Sequence, residues 1–129
     1  MFNRGVTPES YSIEIIKGVT VVTFDKEANV PDVMRMFKDM LVMEVNGTLT
    51  RLILYDVRRG VKGTAREARS IAKYFLNEVN VLPIKAAILV KDPIAFGLAK
   101  IFCKFHKLPL TQLRAFRAKD GVWEWLLDG

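Results

Sequence analysis

Residues 49–57, with the sequence LTRLILYDV, contain a continuous apolar run that ends at Asp56. A strand with apolar side chains on both sides is typical of a sheet that is covered on both faces, as in parallel α/β sheets. Residues 84–90, IKAAILV, form a second run of the same kind. These two segments therefore predict buried strands of a mainly parallel sheet.

The segment that precedes these strands has a different pattern. Residues 11–17, YSIEIIK, alternate between apolar and polar side chains, and residues 19–25, VTVVTFD, are rich in β-branched residues. Two such runs, joined at Gly18, predict an antiparallel hairpin. Residues 1–10 are polar and turn-rich, and we expect them to lie loosely on the surface.

Helical patterns lie between the predicted strands. Pro31 suits a first helical turn, and apolar side chains such as Met36 and Phe37 then recur at helical spacing. Asn46 and Gly47 form a stop signal. The first predicted helix therefore ends near these two residues.

Two further helix starts carry capping signals. Thr64 and Glu67 have the S/T-x-x-E spacing of a capping box, which predicts a helix over about 65–79. Asp92 suits an N-cap before Pro93, and we expect the helix that follows to extend to about residue 107.

The end of the chain completes the predicted fold. Residues 110–118, LTQLRAFRA, predict a last strand, and residues 120–129, DGVWEWLLDG, a short helix. The order β-β-α-β-α-β-α-β-α predicts an α/β fold with a single mixed, mainly parallel sheet, an N-terminal β-hairpin and crossover helices. A length of 129 residues, of which 50% are hydrophobic, suits one domain over 1–129.

Charge and cysteine content narrow the expected partners. The chain has 20 basic and 14 acidic residues, and the formal charge of +6 favours anionic partners. This excess is small for a dedicated nucleic-acid binder, so nucleic acid is not an expected partner. The single cysteine, Cys103, excludes an internal disulfide, and residues 1–10 lack the apolar core of a signal peptide. We therefore expect a cytoplasmic protein.

Residue types that carry catalysis or bind metals are scarce. His106 is the only histidine, so a zinc site lacks ligands, and nothing orients this histidine for a nucleophile pair with Cys103. Asp56 follows a predicted strand, where α/β sites often form, but a lone carboxylate specifies no reaction. We expect no enzymatic activity, metal or cofactor, and an activity at Asp56 is the alternative.

The segment 58–69, RRGVKGTAREAR, joins a buried strand to the next predicted helix. Its glycine and lysine spacing differs from that of a Walker phosphate-binding loop. Free amides at the helix start and the nearby cations would still favour an anion, although a surface turn with a well-capped helix explains the same residues. The candidate ligand- or partner-binding residues are Asp56, Arg58, Arg59, Lys62, Gly63 and Thr64.

The third predicted helix is more apolar than one buried face requires. Phe96, Phe102 and Phe105 add bulk to it, and lysines flank the apolar stripe. Deep burial explains this pattern, and the alternative is an apolar ligand cleft, an interface or contact with an anionic membrane surface. The surplus apolar surface and the strand edge of the hairpin would also suit a homodimer.

Short motifs resemble those of a bacterial STAS-like family, which is related to anti-sigma-factor antagonists and to lipid-binding CRAL-TRIO domains. They are the strand at 86–90, Phe96-Gly97 with Ala99, Leu113 to Phe116, and Trp125-Leu126. The predicted order of elements is similar to that fold over nearly the whole chain.

The resemblance implies a regulatory role for Thr64. In anti-sigma-factor antagonists, a serine in a D-S-S-G motif at the start of the corresponding helix is phosphorylated, and Thr64 occupies roughly its position. The motif itself is absent. The implied function is a non-enzymatic domain that binds a partner protein or a small anionic ligand at residues 58–64. The alternative is a lipid- or amphiphile-binding domain that uses residues 94–107.

Overall fold

The computed structural model describes residues 10–64, 66–67, 69–71, 73, 84–105, 111–117 and 121–128. The strands are β1 (Tyr11–Ile16), β2 (Val19–Phe24), β3 (Leu52–Asp56), β4 (Ile84–Val90) and β5 (Thr111–Arg117). The helices are α1 (Val30–Val45), α2 (the described residues within 66–73), α3 (Pro93–Phe105) and α4 (Val122–Leu127). This order confirms the predicted α/β fold.

The five strands form one mixed sheet in the order β1-β2-β3-β4-β5. β1 and β2 are antiparallel, and β2 to β5 are parallel to one another. The hairpin turn at Lys17 and Gly18 has φ angles of 53° and 78°, and a type I′ turn requires positive values at both positions. The predicted hairpin and the mainly parallel sheet are thus confirmed.

The three crossover helices cover the same face of the sheet. Strands that follow one another in sheet order, joined by crossovers of one hand, place their helices on one side. α2 joins the core cluster of this face through Ile71, and α1 and α3 contribute Met36, Phe37, Met40, Ala95 and Ala99.

The short helix α4 covers the opposite face. Its Val122 and Leu126 are buried in a second core cluster with Leu54 of β3 and Leu89 of β4. β3 is therefore buried on both faces, as its continuous apolar run predicts.

Local sequence signals account for the helix boundaries. The side chain of Asn29 caps α1 by accepting a hydrogen bond from the amide of Asp32 at 2.9 Å. Gly47, with a φ angle of 74°, follows the end of the same helix. Asp92 accepts a hydrogen bond from the amide of Ala95 at 2.8 Å, which confirms the predicted cap of α3.

Some sequence predictions fall outside the described residues. They concern the segment 1–9, the helix end at 74–79, His106, and the side chains of Phe102 and Phe105. Ser10 is described; it is buried, and its carbonyl oxygen accepts a hydrogen bond from the amide of Asp25 at 2.8 Å. In the described part of the chain, no helix combines the length and apolar character that crossing a membrane requires.

Candidate functional site

The predicted binding loop lies at the carboxyl ends of the parallel strands. It begins after β3, and α2 follows it, with Arg66 as the first described helical residue. The connection between β2 and α1, residues 25–29, lies at the same edge. Loops at this edge of an α/β sheet commonly form ligand sites, because rigid strands hold them in place.

The loop is fixed to the β2–α1 connection by backbone pairing. Ala28 and Val61 form a parallel β-bridge. The amide of Ala28 donates to the carbonyl oxygen of Gly60 at 2.9 Å. The amide of Lys62 donates to the carbonyl oxygen of Ala28 at 2.7 Å. Gly60 has a φ angle of 111°, which residues with a side chain rarely adopt. The two connections therefore hold each other in a defined position.

Thr64 and Glu67 form the predicted capping box. The amide of Glu67 donates to Oγ1 of Thr64 at 3.2 Å, and the amide of Thr64 donates to Oε1 of Glu67 at 2.9 Å. The Glu67 carboxylate thus accepts a hydrogen bond from an amide that would otherwise be available to an anion at this helix start. Its negative charge also repels any added anion. A small anion would therefore have to compete with Glu67 for the helix start.

Asp56 and Arg58 form a bidentate ion pair. Nε of Arg58 lies 3.0 Å from Oδ1 of Asp56, and Nη2 lies 2.7 Å from Oδ2. The Arg58 amide also donates to Oδ1, at 3.2 Å. The hydrogen bond to Asp56 raises the pKa of the Arg58 guanidinium above its ordinary value. Because each charge is engaged by the other, the pair stabilises the start of the loop.

The ion pair lies on the opposite side of the sheet from the capping box. Asp56 pairs in register with Leu89, which belongs to the core cluster beneath α4. Tyr55 and Val57, the neighbours of Asp56, belong to the cluster beneath the crossover helices, as alternation along a strand requires. The structure therefore divides the six candidate residues. Asp56 and Arg58 lie on the α4 side, Lys62, Gly63 and Thr64 border the other side, and Arg59 is exposed.

A pocket of about 110 Å³ opens beneath the loop, on the side of the crossover helices. Its walls are almost entirely apolar. The strands, the loop and α1, α2 and α3 all contribute to them, with Val33, Phe37, Tyr55, Val61, Ile71 and Leu98 among the lining residues.

The predicted loop forms the mouth of this pocket. Lys62, Gly63, Thr64 and Glu67 border the pocket and are exposed to solvent. A Cβ atom on Gly63 would lie 3.2 Å from Oε1 of Glu67, so glycine leaves room for the capping carboxylate. Three of the six candidate residues, Lys62, Gly63 and Thr64, thus lie at the rim, whereas the sequence did not predict the apolar pocket behind it.

Tyr55 lines the pocket and carries a buried polar group. Its side chain is 5% exposed, and its ring packs edge-on against Phe37 with the ring centroids 6.2 Å apart. Its hydroxyl oxygen is buried and has no hydrogen-bond partner among the described residues. Burial raises the pKa of this phenol above its ordinary value, so the hydroxyl stays protonated. Its sequence signal was a single hydroxyl group in the run 52–55, LILY, whose other side chains are apolar.

Three phenylalanines were predicted to line an apolar cleft, and Phe96, the one whose side chain is described, lies outside the pocket. Phe96 is half-buried and is not among the described residues that line the pocket. Its ring contacts two cations, with its centroid 5.4 Å from Nζ of Lys100 and 6.0 Å from Cζ of Arg117. α3 contributes Leu98 and Ala99 to the pocket instead.

Few of the described residues around the pocket ionise or could bind a metal. No group of three His, Cys, Asp or Glu side chains in the described ranges could hold a metal ion. Glu67 is the acidic side chain among the described lining residues, and it is engaged in the capping box. Cys103 packs against the core, and burial raises its pKa to about 12, so it remains a thiol at neutral pH.

Comparison with known proteins identifies a family. No curated protein shows a significant match to the chain. A family model described as Domain of unknown function (DUF7793) matches residues 11–128, which include every strand and helix that the structure describes. Because this match covers far more than half of the sequence, the chain belongs to the family described as Domain of unknown function (DUF7793).

Proposed function

We propose that the chain is a non-enzymatic, cytoplasmic regulatory domain that binds a small, mainly apolar ligand beneath residues 58–64. The observation that supports this function is the apolar pocket of about 110 Å³ at the carboxyl edge of the sheet. A concave apolar site with few polar groups is the usual form of a small-molecule site.

The size and polarity of the pocket define the kind of ligand. Its volume of about 110 Å³ compares with an apolar cavity of about 150 Å³ that binds benzene. Apolar groups gain free energy by leaving water for such walls, whereas an unpaired charge inside them is costly. A charged group on the ligand would therefore remain at the mouth, beside the exposed Lys62.

The mouth of the pocket is held in place before a ligand binds. The Ala28–Val61 bridge fixes one part of the rim, and the Thr64–Glu67 capping box fixes another. A site of this kind requires little ordering on binding, which favours affinity for a small ligand.

A partner protein that binds the outer surface of the loop is a second candidate. Arg59 and Lys62 are exposed on a backbone that the bridge holds in place, so they suit an acidic partner surface. Phosphorylation of Thr64 would add about −1.5 to −2 charges beside Glu67 and would disturb the capping box. The resemblance to STAS-like regulatory domains supports this candidate.

A titration of the ¹⁵N-labelled protein with α-methylstyrene, followed by NMR, tests the pocket. Val33→Phe fills the pocket from α1, and Val42→Phe makes the same change on the same helix at a position that is 58% exposed. We expect saturable shift changes in the wild type and in Val42→Phe, and none in Val33→Phe. No saturable binding to the wild type, or equal binding to Val33→Phe, would contradict the proposed function.

A further inference from the structure

We propose that Tyr55 determines the specificity of this pocket by donating a hydrogen bond to a neutral acceptor, such as a ketone oxygen, on the ligand. The inference rests on the proposed function, since it concerns the same pocket. It adds the chemical class of the ligand, which is a small apolar molecule with an uncharged hydrogen-bond acceptor.

Tyr55 is held rigidly at the pocket wall. It lies in β3, where it pairs in register with Val22 of β2 and with Ile88 of β4. Its ring packs against Phe37 at an interplanar angle of 85°, and both rings line the pocket. The position of the hydroxyl is therefore set by a central strand and a ring contact, which is the kind of support a recognition group requires.

The hydroxyl of Tyr55 is a donor without an acceptor among the described residues. Buried polar groups are almost always paired, so an unpaired one calls for a physical explanation. A ligand whose acceptor reaches this hydroxyl from the pocket would supply the missing partner. A ligand of the same shape without an acceptor would leave the hydroxyl unpaired, and a polar site discriminates strongly against such an analogue.

The acceptor that fits this wall is uncharged. Lys62 is the cationic side chain among the described lining residues, and it lies at the exposed mouth. A carboxylate deep in the pocket would have no described cation beside it and would lose its hydration, whereas a carbonyl group loses far less. A neutral phenol can donate to such a carbonyl oxygen.

Two probes of matched shape test this inference. Acetophenone and α-methylstyrene differ only in having a C=O or a C=CH₂ group at the same position. We expect Tyr55→Phe to raise the Kd of acetophenone about fivefold, which corresponds to one neutral hydrogen bond. The Kd of α-methylstyrene should change by less than about twofold. Tyr11→Phe is the matched control, because the hydroxyl of Tyr11 donates to Asp39 and Tyr11 does not line the pocket.

The possible outcomes separate this inference from the proposed function. If Tyr55→Phe leaves the Kd of both probes unchanged, or weakens both equally, the hydrogen-bond role of Tyr55 is overturned while the pocket stands. If the wild type binds neither probe, the proposed function fails and the inference fails with it. A selective loss of acetophenone in Tyr55→Phe, with Tyr11→Phe unchanged, supports the inference.

Discussion

Ala28 and Val61 form a parallel bridge that ties together the two connections bordering the pocket. Its hydrogen bonds, at 2.9 and 2.7 Å, join main-chain atoms of Ala28 to those of Gly60 and Lys62. This part of the mouth of the pocket therefore depends on backbone pairing and not on the exposed side chains of the loop. Gly60 accepts one of these hydrogen bonds and has a positive φ angle, so the conformation of the loop depends on this residue.

Gly60→Ala should destabilise the protein, because the φ angle of 111° at this position strains any residue with a side chain. We expect a loss of about 1–3 kcal/mol in the free energy of unfolding, measured by urea denaturation. Gly97→Ala is the control, since Gly97 lies in α3 with open space around its Cβ position. That variant should gain up to about 1 kcal/mol. Equal effects of the two substitutions would contradict a positive φ angle at Gly60.

Arg58→Ala should destabilise the protein more than Arg59→Ala. The first change leaves the buried carboxylate of Asp56 without its guanidinium partner, and we expect a loss of about 1–3 kcal/mol. Arg59 is exposed, and its removal should change stability by less than about 0.5 kcal/mol. Thermal and urea unfolding of both variants measure this difference. A larger effect of Arg59→Ala would show that the ion pair does not stabilise the start of the loop.

Thr64→Ala should cost about 1 kcal/mol of stability, because it removes the oxygen that accepts the hydrogen bond from the amide of Glu67. Thr64→Ser keeps that oxygen and should remain within about 0.5 kcal/mol of the wild type. Urea denaturation measures both values. Equal free energies of unfolding for Thr64→Ala and Thr64→Ser would contradict a stabilising role for the hydrogen bond to the Thr64 oxygen.

The Tyr55 phenol should make wild-type stability fall at alkaline pH. In the unfolded chain it ionises near pH 10, and in the folded protein burial raises its pKa above that value. Above about pH 10 the unfolded chain therefore releases a proton that the folded state retains, and the free energy of unfolding falls by up to about 1.4 kcal/mol per pH unit. Below that range this contribution is fully present.

Tyr55→Phe should remove this alkaline contribution. Urea denaturation of the wild type and the variant at about pH 8 and about pH 11 gives the difference, since all other titrating groups are shared. The variant should lose less stability between the two pH values. Equal losses would mean that the hydroxyl of Tyr55 ionises as freely in the folded state as in the unfolded chain.

The sequence predicted those features that depend on neighbouring residues. The hairpin depends on the turn at Gly18, and the start of α2 depends on two residues three positions apart, Thr64 and Glu67. Continuous apolar runs indicated strands buried on both faces, and such strands belong to a mainly parallel sheet. Each of these signals acts over a few residues, so composition and spacing were sufficient.

The pocket could not be predicted in this way because its walls come from separate parts of the chain. Val33, Tyr55, Ile71 and Leu98 lie on four different elements, and only the order of the strands brings them together. The placement of all three crossover helices on one face also follows from the order of the strands in the sheet. The position of Asp56 on the other face follows from alternation along β3, which becomes informative once Tyr55 is known to face the crossover helices.

The most direct test of the proposed pocket is an isotope-filtered NOE experiment on the ¹³C-labelled wild-type protein with unlabelled acetophenone. We expect NOEs from the ligand to methyl groups of Val33, Ile71 and Leu98, which lie on α1, α2 and α3 around the pocket. Contacts confined to exposed methyl groups outside the pocket, such as those of Val42 and Val45, would contradict ligand binding in the pocket. So would the absence of any intermolecular NOE at ligand concentrations that saturate the shift changes.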